Sequence, residues 1–294
     1  MFITHGIRPA RAILAAIVSS RSILLVDSDP AVHEALSGAL RAADLHVEDV
    51  YDGPSALEQL KSSTCEVMVA GNGRNGMDSM RLLRRARAIR SDLKVIVAGE
   101  RDAARVVGAI RHRAFGYIHT PLTPGPVAEM VRQALGATAW QDDIRVISAR
   151  PEWLTLDIRC KIDAVERTTN YLKEIQSDLA PQVCDDISVA YRELLMNAVE
   201  HGGKYNPRKR VRTSLLRTAR SVIVHIHDPG TGFSFDFLPH AAVSNPAESP
   251  TRHVEIRAEK GQRPGGFGIL MSRTLVDELL YNERGNAVLF VKYL

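Results

Sequence analysis

The sequence predicts two domains: an α/β domain on a parallel sheet over residues 22–136, and an α+β domain with a mostly antiparallel sheet over 151–294. A short N-terminal extension (1–21) precedes them and a linker (137–150) joins them. Three observations carry this reading. At 294 residues the chain is long enough for two domains of ordinary size, each burying its own core. From Ser22 to Leu135 short apolar runs alternate with amphipathic stretches, as parallel strands and their crossover helices do. Beyond that, the strand-like runs turn to period-two alternation and the helical stretches group together.

In the first half, Ile23–Val26 is a buried apolar run and Pro30 starts a helix through Leu40. A strand at His46–Val50 and a helix at Pro54–Leu60 follow. Val67–Ala70, Lys94–Ala98 and Phe115–Ile118 complete five strands, with helices at Asp78–Ile89, Ala103–Ile110 and Gly125–Leu135. Five βα units of this kind make a doubly wound, flavodoxin-like sheet.

Ile23-Leu-Leu-Val-Asp-Ser-Asp-Pro30, Gly76-Met-Asp78 and Gly116-Tyr-Ile-His-Thr-Pro121 resemble the receiver domain of bacterial response regulators over residues 22–136. The chemical positions depart from that pattern. The paired acids of the family align with Asp27 and Ser28, the phosphoacceptor aspartate with Gly71, the switch Ser/Thr with Gly99 and the lysine with Thr120. Asp29 could shift into the acid pair, but nothing replaces the nucleophile. The resemblance therefore implies a pseudo-receiver that takes no phosphoryl group.

In the second half, Trp153–Arg159 alternates as a strand, and Ala164–Ile175 and Ile187–Val199 read as helices. Val211–Leu216 and Ser221–His227 read as adjacent strands. Residues Ser234–Arg263 are rich in Pro, Ser, Asn and His without periodicity, and a loop of that length is usually functional. A helix at Gly268–Leu279 and strands at Leu280–Asn282 and Ala287–Tyr293 close the chain.

Three segments carry chemistry. Glu193 and Asn197 are four residues apart, so on a helix they lie one above the other. A carboxylate and an amide oxygen so placed suit Mg²⁺ and the orientation of a hydroxyl nucleophile. Asp228-Pro-Gly-Thr-Gly232 is a tight turn after a strand, and an Asx turn before glycine is its plainest use. In Gly265-Gly266-Phe-Gly268 the missing side chains admit phosphate to the backbone N–H groups, at the N-terminus of a helix.

In this order the segments resemble the N-box and the two glycine boxes of the GHKL ATPases, which share the Bergerat fold. Within that superfamily they are most similar to the anti-sigma-factor serine kinases of partner-switching systems. The resemblance implies ATP and Mg²⁺ as ligands, with Glu193 as general base and Asn197 holding the metal. Asp228 would accept from the adenine amino group, and Gly230 and Gly232 would let the backbone approach the base. Gly265, Gly266 and Gly268 would cradle phosphate beneath a lid spanning Ser234–Arg263. Lys260 and Arg263 would either meet the γ-phosphate or be solvated residues of that lid. His201 reads as a cationic complement to the helix C-terminus.

Composition narrows the partners. A net charge of +4 is slight for this length and argues against direct nucleic-acid binding. The run Arg81–Arg90 reads as the wet face of an amphipathic helix. Cys65, Cys160 and Cys184 are scattered and odd in number, which fits a reducing cytoplasm without disulfide or zinc framework. No apolar run reaches membrane-spanning length. The resemblance implies one of two functions: a serine kinase acting on an anti-sigma antagonist while sequestering a regulator such as a sigma factor, or a non-catalytic ATP-dependent partner switch. An autophosphorylating histidine kinase lacks a dimerisation-helix His motif. A homodimer is implied by the resemblance alone.

Overall fold

The computed structural model describes residues 22–71, 77–232 and 268–294. Residues up to Glu100 with His112–Ala137 form one compact unit; Arg101–Arg111 with Thr138–Leu294 form the other.

The first sheet is parallel, in the order β2-β1-β3-β4-β5. Its strands are β1 (Ser22–Val26), β2 (His46–Val50), β3 (Val67–Ala70), β4 (Lys94–Gly99) and β5 (Gly116–His119). Helices α1 (Pro30–Ala42), α2 (Gly53–Gln59), α3 (Ser79–Ile89), α4 (Ala103–Arg111) and α5 (Pro124–Gly136) alternate with them. β1, β3 and β4 are buried along their whole length, because a parallel sheet is covered on both faces. Asp29 caps α1 by accepting from the N–H groups of Ala31 and Val32. On α3, Leu82, Leu83 and Ala86 are buried, while Arg81, Arg84 and Arg85 are exposed, the wet face that the arginine run predicts.

The second sheet has six strands, all antiparallel, in the order β10-β11-β9-β8-β7-β6. They are β6 (Ile144–Ala149), β7 (Trp153–Arg159), β8 (Arg210–Arg217), β9 (Ser221–His227), β10 (Glu278–Tyr281) and β11 (Ala287–Tyr293). Burial alternates along β8, β9 and β11, so Val211, Leu215, Val222, Val224, Ile226, Val288 and Phe290 line one face. Helices α6 (Ile162–Ile175) and α7 (Pro181–Asn197) pack on this sheet, and α8 (Gly268–Leu275) packs against α7.

Three boundaries differ from the sequence reading. Residues 144–149 are not linker but an edge strand, and the residues before them are tied into the second unit. Trp140 is buried with the Arg167 guanidinium 5.0 Å from its ring centroid, and buried Asp143 pairs with Lys161 at 2.8 Å. Helix α7 begins six residues earlier than expected, at Pro181, which occupies its first turn where no N–H is needed. Helix α8 stops at Leu275 rather than Leu279, and β10 starts at Glu278.

Candidate functional site

Glu193 and Asn197 lie in the last turns of α7. Its other side buries Ile187, Ala190, Tyr191, Leu194 and Leu195, so packing fixes the helix and leaves these two side chains half-buried at its margin. The helix then widens into one π turn, Ala198–Gly202, and Gly203 N–H donates to the Ala198 carbonyl at 2.9 Å. Lys204 and Tyr205 follow in the left-handed region at φ 55° and 52°. Non-glycine residues there are strained, and such strain and π turns cluster at functional sites. The Tyr205 hydroxyl donates to Glu200 at 2.9 Å, tying this turn back to the helix. His201 stands in the π turn, next to the helix end as expected.

Asp228 follows β9, its N–H donating to the Asn286 carbonyl at 2.9 Å. Its Oδ1 accepts from Gly230 N–H at 2.7 Å, the Asx turn; among the described residues Oδ2 takes no hydrogen bond. Burial raises the Asp228 carboxyl above the ordinary aspartate value, opposed by the Gly230 N–H and by His227, His201 and Lys209. A β-carbon on Gly230 would fall 2.7 Å from Asp228 Oδ1 and 2.8 Å from the Gly202 Cα. The end of the α7 segment thus touches the Asp-Pro-Gly turn, and neither contact tolerates a side chain. A β-carbon on Gly203 would fall 2.3 Å from Cys160 Sγ, and the Cys160 thiol is pushed up to about 11, chiefly by burial. At Gly232, φ 83°, a β-carbon would fall 1.7 Å from the Arg284 carbonyl oxygen, so the glycine lets the turn pack against the β10–β11 hairpin.

Gly268 opens α8 directly over the α7 pair. A β-carbon there would sit 2.9 Å from Glu193 Oε2 and 3.4 Å from Asn197 Nδ2. The start of the helix after the second glycine segment therefore meets the carboxylate and the amide. Lys260, Arg263, Gly265, Gly266 and the rest of the expected lid lie outside the described residues. Sequence reading missed Arg192, whose Nη1 donates to Glu193 Oε1 at 3.2 Å while its Nε reaches both Glu166 oxygens at 3.1 and 3.0 Å. Glu166, then Glu193, hold this guanidinium in its charged form. No spacing rule links residues 166 and 192; only the packing of α6 on α7 joins them.

In the first unit the acid site is filled from within. Asp27 is buried and its Oδ1 accepts from Asp29 N–H at 2.8 Å. A β-carbon on Gly71 would fall 2.0 Å from Asp27 Oδ2 and 2.8 Å from the Val26 carbonyl oxygen. The Asp29 carboxylate is occupied as the α1 cap. At Gly99 a β-carbon would fall 2.3 Å from the hydroxyl of fully buried Tyr117, which donates to the Glu100 carbonyl at 2.7 Å. Gly76 lies outside the described residues. Among the described residues there is no cluster of three or more His, Cys, Asp or Glu able to hold a metal, and no helix long and apolar enough to cross a membrane.

The chain carries a doubly wound parallel sheet and an antiparallel sheet under helices, with the Glu193 carboxylate and Asn197 amide on α7 and the Asp228 turn against Gly202 beyond its end. Residues 23–132 match the response regulator receiver domain family, and residues 158–292 match the histidine kinase-like ATPase domain family. The chain thus joins a segment similar to response regulator receiver domains to a segment similar to histidine kinase-like ATPase domains.

Similar curated proteins include the C4-dicarboxylate transport transcriptional regulatory protein DctD of Pseudomonas aeruginosa, 32% identical over 118 residues, 38% of this chain and 25% of that protein. Response regulator MprA of Mycobacterium avium is 30% identical over 137 residues, 46% of this chain and 60% of that protein. The chain thus spans only 25% and 60% of these relatives' own lengths. Similar solved structures include a CheY-like receiver domain protein from Methanospirillum hungatei, with 22% identity and TM-score 0.37, covering 39% of this chain and 93% of that one. The receiver domain of NtrX from Brucella abortus gives 20% identity and TM-score 0.37, covering 40% of this chain and 99% of that one.

Proposed function

We propose that the ATPase domain is a protein serine kinase of the anti-sigma-factor type, which transfers the γ-phosphoryl group of ATP to a serine of an antagonist protein in a partner-switching pathway. The observation that carries this reading is the Glu193 carboxylate, one turn before Asn197, with Oε2 turned toward the start of α8. The serine oxygen forms the new bond to the γ-phosphorus, its proton passes to Glu193, and the bond to the bridging oxygen breaks to release ADP. Such transfers depend mostly on positioning and charge neutralisation. The base adds roughly 10²–10⁴-fold. Asp228, with its Oδ2 left over from the Asx turn, selects adenine. The Asn197 amide makes no hydrogen bond among the described residues, and its hard oxygen donor beside a carboxylate fits Mg²⁺, which would offset phosphate charge. Lys260, Arg263, Gly265 and Gly266 are assigned to the phosphates by the same reading. The protein works in the cytoplasm, on regulatory protein partners, a sigma factor among the candidates, and as a homodimer.

A second reading, a non-catalytic ATP-dependent switch, draws support from the first unit, where Gly71 stands at the acceptor position and the Asp27 carboxylate lies where its β-carbon would be. Mass spectrometry of small single-domain antagonist proteins incubated with ATP and either wild-type or Glu193→Gln protein separates the two. The kinase reading expects phosphoserine from the wild type only, with ATP still bound by the variant. No phosphoserine from either protein sinks it and leaves the switch.

A further inference from the structure

Glu193 has two carboxylate oxygens, and the fold treats them differently. Oε1 takes the Nη1 donor of Arg192 at 3.2 Å; Oε2 faces Gly268 and takes no hydrogen bond among the described residues. Arg192 is the preceding residue on α7, roughly 100° around the helix from Glu193, so its stem must curl to meet its neighbour. What holds it there is Glu166 on α6, which accepts from the Nε edge with both oxygens at 3.1 and 3.0 Å. The guanidinium is anchored along one edge and presents its remaining end to Glu193.

The three side chains are 39%, 29% and 24% exposed for Arg192, Glu166 and Glu193. Pairs that wet contribute at most about 1 kcal/mol to stability, so holding the fold together does not account for the fork. Fixing a rotamer does. A free glutamate has three rotatable bonds, and a base displaced by about 1 Å can lose on the order of 100-fold in rate. A planar guanidinium with several donors bridges two carboxylates at set angles, which a lysine ammonium with its three rotatable donors holds less firmly.

Resting on the reading of Glu193 as general base, we propose that Arg192, anchored by Glu166, is a positioning residue that engages Oε1 and so presents Oε2 as the proton-accepting oxygen. Its effect lies in kcat, not in nucleotide binding, and it touches no substrate itself.

The test uses the full chain, Mg²⁺ and γ-labelled ATP, with water as acceptor: the water oxygen bonds to the γ-phosphorus, its proton passes to Oε2 and ADP leaves. Arg192→Gln should lower kcat by roughly ten- to a hundredfold while KM for ATP stays within about twofold of wild type. Glu166→Gln should lower the same parameter less, and Arg192→Lys should recover part of the loss. In a Glu193→Gln background, Arg192→Gln should have no further effect, because there is no base left to place. A full second loss in that background means a structural role and overturns the proposal. If Glu193→Gln is inactive while Arg192→Gln keeps the wild-type rate, the positioning role alone falls. If Glu193→Gln keeps the wild-type rate of phosphate release, the base reading falls and this proposal with it.

Discussion

Gly202 and Asp228 are in contact such that a β-carbon on Gly202 would lie 2.1 Å from Asp228 Oδ1 and 2.2 Å from its Cγ. Real atoms cannot approach so closely, so the carboxylate that would read adenine keeps its position only while residue 202 has no side chain. Gly202→Ala should displace it. Loss of one charge-assisted hydrogen bond costs about 1.5–3 kcal/mol, a ten- to hundredfold drop in affinity. Calorimetry of ATP binding should place Gly202→Ala in that range. Wild-type affinity in the alanine variant would show that the carboxylate does not contact the base.

The filled acid site of the first unit makes a prediction in the opposite sense from most repairs. Wild-type protein incubated with acetyl phosphate and Mg²⁺ should gain no mass in residues 22–136. Gly71→Asp, which restores the side chain that the receiver pattern demands, should not gain it either. Its β-carbon would meet Asp27 Oδ2 at 2.0 Å, and two carboxylates would then share one buried space. The variant should melt lower than wild type by scanning calorimetry. A stoichiometric phosphoryl adduct at Asp27 or Asp29 in the wild type would overturn the pseudo-receiver reading.

Gly99 offers a cleaner steric test because its neighbour can be trimmed. Gly99→Thr places a β-carbon 2.3 Å from the Tyr117 hydroxyl. Overpacking of this kind costs typically about 1–3 kcal/mol. Tyr117→Phe removes the hydroxyl and its bond to the Glu100 carbonyl, destabilising by itself, yet the double variant should lose less than the sum. Strict additivity in denaturant melts would mean that the two residues do not share that space.

How much of this was legible in the sequence follows from burial and range. The five parallel strands read plainly because strands covered on both faces are continuous apolar runs, as at Ile23–Val26 and Val67–Ala70. Strand β6 did not, because it lies at the sheet edge with most of its side chains partly or fully exposed. The start of α7 was hidden by exposed Pro181 and Gln182 and polar Asp185, which give a helix turn no apolar stripe. Glu193 and Asn197 were legible because helical spacing is local. The Gly202–Asp228 and Glu166–Arg192 contacts were not, since each joins residues 26 apart through tertiary packing alone.

Asp228 also fixes a pH dependence, and its two consequences have opposite signs. Burial, the largest influence, raises its carboxyl above the ordinary 3.8, against the Gly230 N–H and the His227, His201 and Lys209 charges. Between the unfolded and folded values the folded state binds more protons, so this group's contribution to stability falls as pH rises through that window. On the proposed reading of Asp228, nucleotide recognition runs the other way, because an adenine amino group held there would need the ionised oxygen as acceptor. ATP affinity should fall as pH drops through the raised value, at a pH where an ordinary aspartate would still be ionised. The phosphates of ATP titrate as well, so the quantity to follow is the ratio of wild-type to Asp228→Asn affinity by calorimetry across a pH series. At neutral pH the ratio should be roughly ten to a hundred, and it should close toward one on acidification as Asp228 takes up its proton. A ratio that stays constant from neutral to acid pH would mean that the charge on Asp228 plays no part in holding the base.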